Sequence, residues 1–133
     1  QIKAVKYLLK KLINKYKIDL KNILGHSDIA PERKKDPGEK FPWKKLAQLN
    51  LTKWHKLGEK KIKSFRSKKL TKIEEAKFLE NLYLIGYNKI QKLDLKLNKK
   101  FLFIAFQRRF RQSLINGKSD KECFLISKNL LKS

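Results

Sequence analysis

From Ser27 to Pro42 the chain shows neither a helical nor a strand period. Pro31, Pro37, Gly38 and Pro42 punctuate it, removing backbone donors or loosening the backbone at short intervals. The stretch is about 16 residues long and not low-complexity, a length that inside a compact domain usually carries function. No single helix or strand can run through it. The elements before and after it must be built separately and then packed around it.

Both flanks read as ordered. Ile2, Val5, Leu8, Leu9, Leu12, Ile13 and Tyr16 recur at helical spacing, with Lys3, Lys6, Lys10, Lys11 and Lys15 on the other side, so residues 2–16 are an amphipathic helix whose stripe needs a cover. Asp19 is placed to cap a short turn through Asn22. Ile23-Leu24-Gly25 is a short apolar run leading into His26, read as a brief buried strand ending at that residue. After the loop, Trp43 to Leu49 resumes a helix with Trp43, Leu46 and Ala47 on one face.

Residues 50–71 lose that spacing and are dominated by Lys, which marks a basic linker, with Trp54, Leu57, Ile62 and Phe65 available to pack on a flanking unit. A second unit follows. Thr71 and Glu74 form the pattern of a capping box for a helix ending at Gly86. Residues 87–97 are less regular, with Ile90, Leu93, Leu95 and Leu97 suggesting a loop and a strand-like piece. A further helix is expected from about Asn98 to Gln112, then a turn at Asn116-Gly117, then a last helix capped by Ser119 or Asp120.

The 133 residues allow one ordinary domain or two small ones, and 41% apolar content suffices for a core. A formal charge of +23 nominally points to a polyanion or an anionic surface. The basic residues are spread along the chain and are nearly all Lys, and Ile and Asn are also plentiful, as an AT-rich coding bias imposes without selection for polyanions. No nucleic-acid partner is expected. One cysteine, Cys123, excludes an internal disulfide, and no apolar run approaches a membrane span.

The chemistry lies in the loop. His26 and Asp36 are ten positions apart, and imidazole and carboxylate are both ordinary zinc ligands. On spacing alone, such a pair is more often a plain hydrogen bond. Catalytic zinc keeps three protein ligands, so a third must come from elsewhere, and the other histidine, His55, lies in the Lys-rich linker. Lys34 would place a positive charge beside a metal held there, suited to stabilising an oxyanion.

The run Gly25-His26-Ser27-Asp28-Ile29-Ala30-Pro31, then Arg33-Lys34, Asp36-Pro37-Gly38 and Phe41-Pro42-Trp43, closely resembles the type 2 zinc-dependent N-acetylmuramoyl-L-alanine amidases. These hydrolyse the amide between N-acetylmuramic acid and L-alanine in bacterial peptidoglycan. The resemblance implies that His26 and Asp36 are zinc ligands, that Lys34 is the catalytic cation, and that Asp28 supports the loop behind them. Glu32 departs from the family's usual Gly, a change that puts the loop geometry in question.

Leu79 to Tyr87, Ile104-Ala105-Phe106-Gln107-Arg108-Arg109-Phe110 and Asn116-Gly117-Lys118-Ser119-Asp120 resemble a three-helix peptidoglycan-binding module. Phe106, Phe110 and Tyr87 are expected in its core. Gln107 and Arg109 are left unassigned as glycan contacts, and no substrate-binding residue is named.

The resemblance implies an α/β fold, the C-terminal part of a mixed-sheet amidase domain over residues 1–49, joined by the 50–71 linker to a small all-α module at 72–133, with the chain itself mostly helical. The family's first zinc histidine and its catalytic Glu have no counterpart here. The expectation is therefore a truncated or split-gene fragment that on its own binds zinc poorly and hydrolyses little. Its expected partners are peptidoglycan muropeptides and a possible upstream polypeptide that completes the site. The implied location is the bacterial cell envelope, if the full-length protein is exported. The rivals are a non-catalytic peptidoglycan-binding remnant and, further behind, a basic nucleic-acid binder.

Overall fold

The computed structural model describes residues 1–89 and 94–132. In order it contains α1 (Ile2–Tyr16), a 3-10 turn at Leu20–Asn22, α2 (His26–Ile29), α3 (Trp43–Gln48), α4 (Glu59–Lys63), α5 (Lys72–Ile85), α6 (Leu95–Phe110) and α7 (Lys121–Lys132). Every regular element among the described residues is helical. The α/β expectation is thereby corrected: residues 1–49 contribute no strand.

The strand predicted at Ile23–Gly25 is extended chain without a ladder partner, and His26 opens a helical turn instead of closing a strand. The cause is local and long-range at once. The Asp28 carboxylate turns back to accept the Gly25 N–H at 2.9 Å, which winds residues 26–29. The Ile23 carbonyl accepts from Arg109 Nη2 at 2.9 Å, so it needs no neighbouring strand. Gly25 itself is required by close approach, because a Cβ there would stand 2.6 Å from Pro37 Cδ and 3.2 Å from the Trp43 ring.

The amphipathic α1 forms as its spacing predicts and ends at Lys17, which adopts a left-handed conformation. None of its residues is fully buried: Val5, Leu9, Leu12 and Ile13 of the stripe are half-buried, while Ile2, Leu8 and Tyr16 are exposed. Asp19 caps the 3-10 turn, accepting from Lys21 N.

The core lies among α5, α6 and α7. Phe78, Leu82, Leu102, Phe106, Cys123 and Ile126 are fully enclosed there. Tyr87 and Phe110 join them, as expected for a helical bundle, and Phe78 packs edge-on to Phe106 with centroids 5.4 Å apart. Both capping-box bonds at Thr71 and Glu74 are present, and Gly86, at φ 124°, ends α5. Asp120, rather than Ser119, caps α7, accepting from Cys123 N at 2.9 Å.

The strand-like reading of 87–97 is replaced at Leu95 and Leu97 by the first turn of α6, which Asp94 caps. Ile90 and Leu93 lie outside the described residues. The 50–71 stretch packs closely on the bundle. Ile62 joins the core, Ser67 N donates to Asp120 Oδ2, and Lys121 N donates to Lys68 O. No helix among the described residues is long and apolar enough to cross a membrane.

Candidate functional site

Three backbone hydrogen bonds shape the loop. Ser27 N donates to the Asp36 carbonyl at 2.9 Å, and Arg33 N and Lys34 N both donate to the Ala30 carbonyl. The Asp36–Pro37 peptide is cis. These ties place the Asp36 carboxylate over the imidazole at the start of α2, with His26 Nδ1 and Asp36 Oδ2 2.5 Å apart. Both side chains are open to solvent, 68% and 61% exposed. The His26 hydrogen bond is the main reason the Asp36 carboxyl lies below its ordinary range, and the Lys34 charge adds to it. Asp36 is therefore ionised at neutral pH, the form a metal ligand needs. Lys34 is exposed on the same loop.

Glu32 does not adopt a positive φ, so the departure from Gly is accommodated without strain; its carboxylate pairs with Arg33 at 3.2 Å on the surface. The fit to zinc is partial. An imidazole and an ionised carboxylate converge, but no third His, Cys, Asp or Glu among the described residues gathers with them. His55 does not join: it is buried and stacked on Trp54 at 5.2 Å. Burial holds its pKa below the ordinary value.

Behind this exposed pair sits a buried one. Asp28 Oδ2 accepts from Gly25 N and from Arg109 Nη1, the latter at 2.6 Å, with both side chains almost fully enclosed. The Arg109 guanidinium also lies 4.2 Å from the Trp43 ring centroid, a cation–π geometry. One arginine on α6 thus grips α2, the chain before it and α3. Gln112 Nε2 adds a 2.7 Å bond to the Phe41 carbonyl, and Asn88 Nδ2 donates to the Ile29 carbonyl. Asp28 ties the loop to a partner 81 residues away.

Sequence reasoning left Arg109 unassigned. Its signal was a basic residue between Phe106 and Phe110 on a buried helix, where a guanidinium needs an acid. Gln107 is wholly buried and engaged: its Oε1 accepts from Asn116 N and Gly117 N, and its Nε2 donates to Lys118 O. It shapes the turn before α7.

Residues 1–39 match the N-acetylmuramoyl-L-alanine amidase family. Over 131 residues the chain is 35% identical to the N-acetylmuramoyl-L-alanine amidase AmiD of Escherichia coli, covering 98% of this chain and 47% of that protein. Over 41 residues it is 51% identical to the 1,6-anhydro-N-acetylmuramyl-L-alanine amidase AmpD of Enterobacter cloacae, covering 31% of this chain and 22% of that one. The solved complex of E. coli AmiD with its substrate anhydro-N-acetylmuramic acid-L-Ala-D-gamma-Glu-L-Lys superposes with a TM-score of 0.83 at 34% identity, over 99% of this chain and 51% of that one. AmpDh3 of Pseudomonas aeruginosa superposes with a TM-score of 0.82 at 32% identity, over 98% of this chain and 52% of its own. The chain spans about half the length of AmiD.

Proposed function

We propose that this chain belongs to the N-acetylmuramoyl-L-alanine amidase family and supplies part of a zinc site for cleaving the amide between N-acetylmuramic acid and L-alanine in peptidoglycan. The observation that carries this reading is the convergence of His26 and Asp36 on one loop, with Lys34 beside them. His26 and Asp36 would hold the metal. Zinc bound there supplies a Lewis acid that acidifies water and polarises a carbonyl.

The chain's own groups do the rest. Asp36 enters as carboxylate, so no proton need be displaced from it at neutral pH. Lys34 offers a cation to the negative charge that develops on the amide carbonyl oxygen as it is attacked. The Asp28–Arg109 pair fixes the loop, so that both donors are held at one point by a rigid support.

Residues 1–49 are the part of the catalytic domain in this proposal, 50–71 the linker, and 72–133 a wall-binding module. The intended polymer is intact peptidoglycan, and the setting is the cell envelope. Two donors, where a catalytic zinc keeps three protein ligands, favour weak zinc binding by this chain alone. That shortage also supports the second reading, a non-catalytic wall-binding chain.

The test is zinc titration together with peptide release from purified peptidoglycan, for the chain and its His26→Ala and Asp36→Ala variants. The proposal expects weak zinc binding that both substitutions abolish. Zinc binding untouched by either substitution refutes it. Stoichiometric zinc with peptide release by the unaided chain removes the second reading.

A further inference from the structure

Residues 60–72 run from α4 through a turn into the start of α5, with seven basic side chains and no acidic one. One of the seven is neutralised: Arg66 donates to Glu122 from Nε at 2.7 Å and from Nη2 at 3.0 Å. The other six are lysines, all exposed. None of them meets a carboxylate among the described residues, because the nearby acids are engaged elsewhere. Glu59 pairs with Lys44, Glu74 closes the capping box of α5 and lies 3.9 Å from Lys121, and Asp120 takes Arg111.

The stretch is also held in place. Ile62 lies in the core, Ser67 N donates to Asp120 Oδ2 at 3.1 Å, and Lys121 N donates to Lys68 O at 3.0 Å. Coding bias sets how many lysines a chain has. A fixed backbone that gathers six unpaired ones repels itself, and an anionic partner relieves that repulsion. Because the backbone is already fixed, docking orders little of it.

We propose that Lys60, Lys61, Lys63, Lys68, Lys69 and Lys72 dock this chain on a bilayer bearing anionic phospholipid headgroups, with Ile73 as an apolar contact at the edge. Ile73 follows Lys72 directly and is 83% exposed, so it gains burial only against an external apolar layer. Lysine suits a diffuse field of charge, since its ammonium is a point charge on a flexible stem with no fork to match. Nucleic acid fits less well. The one guanidinium of the stretch, Arg66, is already spent on Glu122 and cannot read a base edge. Its one aromatic ring, Phe65, is half-buried beneath Lys68 Nζ at 5.0 Å and offers no open face for a base. None of the larger cavities is lined by Lys60, Lys61, Lys68, Lys69 or Lys72, whereas a strand-binding protein offers a basic groove.

Neither zinc nor peptidoglycan enters the test, so its failure is separate from that of the zinc reading. The measurement is co-sedimentation of the chain with vesicles of phosphatidylcholine alone and of phosphatidylcholine mixed with phosphatidylglycerol, at rising salt. Binding to the mixed vesicles only, weakening as salt rises, is expected. A quadruple variant with Lys60→Gln, Lys61→Gln, Lys68→Gln and Lys69→Gln should bind roughly a hundredfold more weakly. The same loss of charge on α1, with Lys3→Gln, Lys10→Gln, Lys11→Gln and Lys15→Gln, should cost less than roughly tenfold. All eight positions are exposed, so both variants keep the fold. Ile73→Gln should weaken vesicle binding about tenfold. The proposal is overturned if the mixed vesicles are not bound, or if the two quadruple variants lose affinity equally, which would leave net charge alone as the cause. An unchanged affinity of Ile73→Gln, or a DNA duplex bound as tightly as the mixed vesicles, overturns it too, because the partner would then be a polyanion.

Discussion

Two acid–base pairs meet at the same loop in opposite surroundings, one within it and one reaching it from α6. His26–Asp36 is open to water, while Asp28–Arg109 is enclosed, with 3–4% of each side chain exposed. An exposed pair contributes little to stability and keeps its lone pairs available to a metal or substrate. A buried pair is costly to break, because removing one partner leaves the other charge desolvated. The chain thus sets two pairs of opposite exposure side by side: His26–Asp36 is open to solvent, while Asp28–Arg109 ties the loop to α6.

The largest effect should come from the buried side. Asp28→Ala or Arg109→Leu should lower unfolding free energy by about 3–5 kcal/mol, read from the urea midpoint. A loss below about 1 kcal/mol would erase the distinction between the two pairs. Arg109→Lys sharpens it: the charge remains, but the second bond to Ile23 O and the flat stack over Trp43 are lost, so a smaller decrease of about 1–3 kcal/mol is expected.

A titration effect comes next. His55 is held neutral by burial, so the folded state binds its proton later than the unfolded chain does. Its contribution is present above the ordinary histidine value of 6.5 and is lost as pH falls from there towards the lowered value. His55→Gln should flatten the melting temperature between pH 7 and about pH 5 relative to the parent chain. An unchanged slope would show that His55 is not the group responsible.

The smallest effect on stability is expected at the exposed pair. Asp36→Ala should leave the melting temperature essentially unchanged while removing zinc binding. A large loss of stability there would mean that the two pairs are not separable.

Much of this was legible in local patterns. The α1 stripe, the Thr71–Glu74 capping box and the stop at Gly86 each depend on residues within one or two turns of each other, and they appear where spacing placed them. His26, Lys34 and Asp36 were legible as a loop constellation because their residue types and intervals are visible without the fold. The short apolar run Ile23-Leu24-Gly25 was not decidable locally, since a strand and an extended segment share that pattern.

What the sequence by itself determined is therefore α1, α3, α5, α7 and most of α6, together with a candidate loop constellation of His26, Lys34 and Asp36, since these follow from residue types and spacings among near neighbours in the chain. The tertiary structure decided that residues 23–29 become extended chain and a helical turn, that Arg109 clamps the loop rather than facing solvent, and that His55 stays apart from the candidate ligands. Each of those outcomes depends on which distant group satisfies a buried charge or carbonyl, and no periodicity records a partner 81 residues away.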